Sequence, residues 1–232
     1  MDITLHHIDE GAGEPLLLLH GNGEDGTCFK EQIGHFRDTF HVYAIDTRGH
    51  GLSPRGTAPF TLMQFADDLA GFMDHHGIAA AHLLGFSDGA NIVLLFALKH
   101  PERVLSMVLN GGNLFPEGLT EEVRQGDRAA YRKALEMGDR HQLDLLRLMM
   151  DEPHIDPDDL ARLHIPTLVV AGTDDMIEEA HTRLIAQSIP DAELRFMEGG
   201  HFVVYDKPNE FNQVVEGFLS RLGDRGMGED RP

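Results

Sequence analysis

Positive charge is scarce in this chain: 19 Lys and Arg stand against 39 Asp and Glu over 232 residues, and only Lys30, Lys99, Lys133 and Lys207 are lysines. The formal net charge of -20 repels phosphate backbones and anionic lipid surfaces, which argues against nucleic-acid and membrane partners. Cysteine is nearly absent. Cys28 alone cannot close an internal disulfide, which suits a reducing compartment. No apolar run approaches a membrane span, since even 92–98 is far too short, and Met1-Asp2-Ile3-Thr4-Leu5-His6 has no basic segment leading into an apolar stretch. A soluble, cytoplasmic protein is expected. No repeat recurs at a fixed period, and no His-Glu-x-x-His or Cys-x-x-Cys spacing suggests a metal site.

What is present is a globular composition, 41% apolar and 25% charged, on a length that suits one domain. Short apolar runs at 16–19, 41–45, 81–84, 104–109, 167–170 and 193–196 read as strands, with a further strand at 3–8. Most are continuous rather than alternating, the pattern of strands buried on both faces. Between them, 61–75, 88–99, 178–188 and 209–222 carry apolar residues at helical spacing. The expected fold is therefore α/β, a doubly wound and mostly parallel sheet flanked by helices. Residues 113–163 break the alternation, with no strand pattern and helical spacing in 128–137 and 141–150. They read as a helical insertion over the strand ends where such folds bind ligands. The expected organisation is a core of 1–112 and 164–222, a cap of 113–163 and a disordered tail of 223–232, rich in glycine and charge.

Gly85-Phe86-Ser87-Asp88-Gly89 matches G-x-S-x-G, with a strand running in and a helix running out. A strand-to-helix turn that sharp crowds the positions two before and two after the serine, so both need glycine. Ser87 is thus the candidate nucleophile. A serine hydroxyl needs a base oriented by a third group, and downstream strands end in Asp174-Asp175 and in Gly199-Gly200-His201. His201 is the candidate base. Other histidines, His75, His76, His100, His141 and His181, lie on or beside helices and read as solvated surface. An oxyanion needs backbone N–H donors, and Leu19-His20-Gly21-Asn22-Gly23 is a tight loop after an early strand. The amides of Asn22 and Asp88 are the candidate pair, the second at a helix start whose dipole favours negative charge.

With these elements in order, residues 3–222 resemble the α/β-hydrolase superfamily. Asp46-Thr47-Arg48-Gly49-His50-Gly51-Leu52-Ser53 is similar to that family's Asp-x-Arg-Gly-x-Gly-x-Ser turn. The resemblance implies a triad acid three residues after the glycine ending its strand, which is Asp175 counted from Gly172, with Asp174 as the fallback. It implies hydrolysis of a small carboxylic ester by acyl transfer and no cofactor; the chain departs from the family pattern in its short N-terminus and compact cap, so the family's first edge strand is expected to be shortened or missing. Leu114, Phe115, Met137, Met149 and Met150 are candidate pocket walls. The Ser-Asp-Gly elbow also resembles that of biphenyl hydrolase-like enzymes acting on amino-acid esters, which implies a substrate amine paired with Asp88 or with acids of the cap. Aminoacyl ester, amide or N-terminal peptide cleavage is thus the alternative activity, and a ligand receptor that keeps the triad is a more distant one.

Overall fold

The computed structural model describes residues 2–226. Seven strands, β1 (His7–Gly11), β2 (Glu14–Leu19), β3 (Phe40–Ile45), β4 (Ala81–Phe86), β5 (Val104–Asn110), β6 (Thr167–Gly172) and β7 (Glu193–Met197), form one sheet in the order β1-β3-β2-β4-β5-β6-β7. Only β1 runs antiparallel, against β3. The continuous apolar runs serve two cores at once. Period-two alternation sends Leu17, Leu19, Leu83 and Leu109 to one face and Leu16, Leu18, Leu84 and Val108 to the other. Helices α2 (Leu62–His75), α3 (Asp88–Lys99) and α7 (Glu179–Ser188) close the first face, α1 (Lys30–Phe36) and α9 (Pro208–Gly226) the second.

The edge strand begins later than the expected 3–8. Residues 2–6 leave the ladder because Asp2 is pulled elsewhere: its carboxylate accepts from the Thr57 and Ala58 N–H groups and from Arg48, all outside the sheet. The short helix α1 follows no readable pattern, since Gln32, Ile33 and Phe36 are all it buries. At the other end α9 runs through 223–226, so the helix takes in the first four residues of the stretch whose composition suggested disorder. The remaining expected tail, 227–232, lies outside the described residues.

No strand forms between β5 and β6. Instead α4 (Glu121–Met137) and α5 (Arg140–Asp151) pack on each other, followed by the single turn α6 (Pro157–Leu160). Helix α4 begins earlier than the expected 128 and buries only Ala134, whereas α5 buries Leu145, Leu146 and Leu148. Glu152 accepts from the Leu62 N–H at 2.7 Å, tying the end of α5 to the start of α2. Among the described residues no helix is long and apolar enough to cross a membrane.

The strand order reverses at β2: the next strand in sequence, β3, lies on one side of it and β4 on the other. Their carboxyl ends open the crevice where doubly wound sheets place their chemistry.

Candidate active site

The loops leaving β2 and β4 face each other across that crevice. At the β4–α3 junction Ser87 has φ 54° and ψ -119°, a conformation that costs a residue bearing Cβ on the order of 1–3 kcal/mol. The surroundings over-determine it. Its N–H donates to the Asn110 carbonyl at 2.8 Å, and its own carbonyl accepts from Ala90 and Asn91. The flanking glycines are there for close approach, since a Cβ at Gly85 would collide with the Gly89 backbone and one at Gly89 with the Leu19 carbonyl. The Ser87 residue is left partly exposed at the sheet edge.

His201 is 5% exposed and packs its ring on Phe86, with centroids 4.9 Å apart, and on Gly111, where a Cβ would lie 3.6 Å from Nε2. Gly111 follows the residue whose carbonyl holds the Ser87 N–H. The histidine is thus packed on both strands that border the elbow. Its Nδ1 is 2.7 Å from Asp175 Oδ1. The same carboxylate accepts from the Ile177 N–H at 3.1 Å and the Gly172 N–H at 3.2 Å. Burial alone would push the Asp175 carboxyl up, but the His201 hydrogen bond and charge, with the two backbone donors, outweigh it and hold the carboxyl below its ordinary value. Asp174 next door is exposed, and among the described residues its carboxylate reaches only Thr173 Oγ1, at 3.4 Å. Of the two adjacent acids, the structure brings Asp175 to the imidazole.

An acceptor on Nδ1 fixes that nitrogen as the one carrying hydrogen, leaving Nε2 free to take a proton. Across the crevice, the N–H groups of Asn22 and Asp88 have no partner among the described residues. The Asn22 side chain donates to Asp88 Oδ2 at 2.9 Å and to the Leu145 carbonyl of α5 at 3.1 Å, so one amide joins loop, elbow and insertion. Asp88 is 9% exposed. Burial raises its carboxyl above the ordinary value against the Asn22 hydrogen bond and the nearby His201, and Asp127 raises it further. Glu152 is raised in the same way, by burial first and by Asp88 among its neighbours.

Several expected positions fall elsewhere. Leu114 has no exposed surface: it is sunk in the core, its N–H donating to His181 Nε2 at 2.9 Å. A pocket wall at Leu114 is therefore withdrawn, while Phe115 packs edge-on against His181 at 4.6 Å. His181 is itself a correction. It is 6% exposed, because its ring fills the space beside Gly118 rather than facing solvent as its helical position suggested. Met137 is 70% exposed on the outer end of α4, too solvated to wall a pocket. Glu24 and Tyr205, which no sequence pattern pairs, share a hydrogen bond at 2.9 Å that spans 181 positions in sequence. The one available signal was an acid three residues beyond Gly21 in a glycine-rich loop.

A family model described as alpha/beta hydrolase fold matches residues 14–132. The chain is 31% identical to a 2-hydroxymuconate semialdehyde hydrolase from Pseudomonas putida, covering 91% of this chain and 89% of that one. It is 24% identical to 3-oxoadipate enol-lactonase 2 from Acinetobacter baylyi, covering 95% of each. A thermophilic esterase from Thermogutta terrifontis superposes with a TM-score of 0.82 at 25% identity, over 95% of this chain and 94% of that one.

Proposed function

The chain belongs to the alpha/beta hydrolase family and is a hydrolase, and on that premise we propose that it cleaves a small carboxylic ester, open-chain or lactone, through an acyl-enzyme on Ser87. The observation that carries this reading is the buried His201–Asp175 pair packed beside the strained Ser87 elbow. Ser87 Oγ attacks the carbonyl carbon as His201 Nε2 takes its proton, and Asp175 holds the imidazole in the required tautomer. The Asn22 and Asp88 N–H groups receive the oxyanion. Collapse breaks the carbon–oxygen bond of the ester, His201 returns the proton to the leaving alcohol, and water repeats the sequence to release the acid. Residues 113–163 act as the cap over this site, held through Asn22, Leu145 and Glu152. The site works on a small molecule in the cytoplasm without a cofactor.

A second reading, in which the substrate carries an amine, has one observation in its favour. Asp88, Asp127 and Glu152 are all raised by burial, and none forms an ion pair with Lys or Arg among the described residues. A substrate ammonium would relieve that unbalanced acidity. Hydrolysis of short-chain chromogenic esters tests the first reading, and it fails if Ser87→Ala retains the parental rate. Comparing kcat/KM for an α-aminoacyl ester and its des-amino analogue tests the second. A preference for the amine that Asp88→Asn abolishes supports it; no preference in the parent removes it.

A further inference from the structure

The Gly21-to-Glu24 turn joins two loops that the acyl-transfer reading treats separately, and the present inference rests on that reading. Glu24 Oε2 accepts from the Gly21 N–H at 3.0 Å and from the Tyr205 hydroxyl at 2.9 Å. The Glu24 N–H in turn donates to the Gly21 carbonyl at 3.3 Å, so one residue grips Gly21 from both sides. The same carbonyl lies 2.7 Å from His20 Nδ1. A planar trans peptide aims its N–H opposite its C=O, so holding the Gly21 carbonyl sets the direction of the Asn22 N–H.

Tyr205 stands four residues after His201, in the single helical turn α8 (Val203–Asp206). Its ring lies 5.0 Å from Phe86, the same ring that supports His201. Burial pushes the Tyr205 hydroxyl far above its ordinary value and the Cys28 thiol, 3.2 Å from it, up to about 12. Both keep their hydrogens at working pH, and the tyrosine's goes to the carboxylate, the stronger acceptor. We propose that Glu24 is a positioning residue: it locks the loop bearing the Asn22 amide to the loop bearing His201, so that oxyanion donor and base are aligned together.

Burial raises the Glu24 carboxyl above its ordinary value, against the hydrogen bonds from Tyr205 and the Gly21 N–H.

Steady-state kinetics of Glu24→Ala, Glu24→Gln and Tyr205→Phe on one ester test this. Glu24→Ala is expected to lower kcat about tenfold with KM within about twofold, because a displaced donor costs less than the roughly 10²-fold loss of a deleted one. Glu24→Gln keeps an acceptor oxygen for both donors and recovers most of kcat. Tyr205→Phe lowers kcat with KM within about twofold. A parental kcat in Glu24→Ala, or a loss confined to KM, overturns the inference. If Glu24→Ala does not fold, a parental kcat in Tyr205→Phe overturns it. Ser87→Ala is measured alongside: if it retains turnover, the acyl-transfer reading falls and the coupling with it, whereas a silent Glu24 in a Ser87-dependent enzyme sinks the coupling alone.

Discussion

Replacing Asp175 by asparagine keeps size and shape and removes one charge, so it isolates what the carboxylate does for His201. In the parent, Asp175 Oδ1 accepts from both His201 Nδ1 and the Ile177 N–H, and Oδ2 from the Gly172 N–H. An asparagine oxygen can satisfy the backbone donors on one side only, and its amide hydrogens then face either Gly172 or the imidazole. Where they face the imidazole, Nδ1 must become an acceptor, hydrogen moves to Nε2, and the base is lost. The type case of this substitution in a serine triad costs about 10⁴ in kcat, and the buried geometry here points to a loss of about 10³ to 10⁴, or roughly 4 to 5.5 kcal/mol of transition-state stabilisation. Asp174→Asn, at an exposed carboxylate, should stay within about twofold. The assay is kcat/KM on a chromogenic ester for both variants, with circular dichroism to confirm folding. The reverse order of effects would refute the assignment of Asp175. The same carboxyl also predicts a pH effect. Held below its unfolded value of 3.8, it contributes stability that is fully present above that pH and lost as pH falls through the folded value. Acid unfolding of Asp175→Asn should therefore show a shallower dependence below about pH 4.

His201→Ala should lower turnover by about 10³ or more in a protein that remains folded, which steady-state rates and a thermal melt check together. Ser87→Gly should be inactive yet more stable by about 1 kcal/mol, because glycine adopts φ 54° without the strain Ser87 carries, and a lower melting temperature would contradict this. His50 is buried, its Nε2 has no partner among the described residues, and burial first, with the neighbouring His20, brings its pKa down to about 4. The unfolded chain thus binds a proton there that the fold does not, so stability should fall between about pH 6.5 and 4, by up to about 3 kcal/mol. Denaturant melts of the parent and His50→Gln over that range check the slope, which should flatten in the variant.

The strands were legible because burial on both faces leaves uninterrupted apolar runs, and α3 was read at its true ends, Asp88 and Lys99. The elbow was legible for a related reason: close backbone approach leaves glycine at fixed offsets from Ser87. What remained hidden involves residues whose partners lie far along the chain. The residues alone left Asp174 and Asp175 open and only the family resemblance preferred Asp175, because the choice depends on which carboxylate reaches a histidine 26 positions later. His181 reads as surface by helical position, and only the fold brings Gly118 against its ring. Glu24 carries no periodicity at all, and the role proposed for it rests on a tyrosine that the fold returns to the Gly21-to-Glu24 turn.

Intact-protein and peptide mass spectrometry after brief exposure to a slowly deacylating chromogenic ester bears most directly on the proposed acyl-enzyme. A burst of about one equivalent of alcohol per active site is expected, with the acyl mass on the peptide containing Ser87 and neither signal in Ser87→Ala. A steady release without a burst and without an adduct, retained in Ser87→Ala, would contradict it.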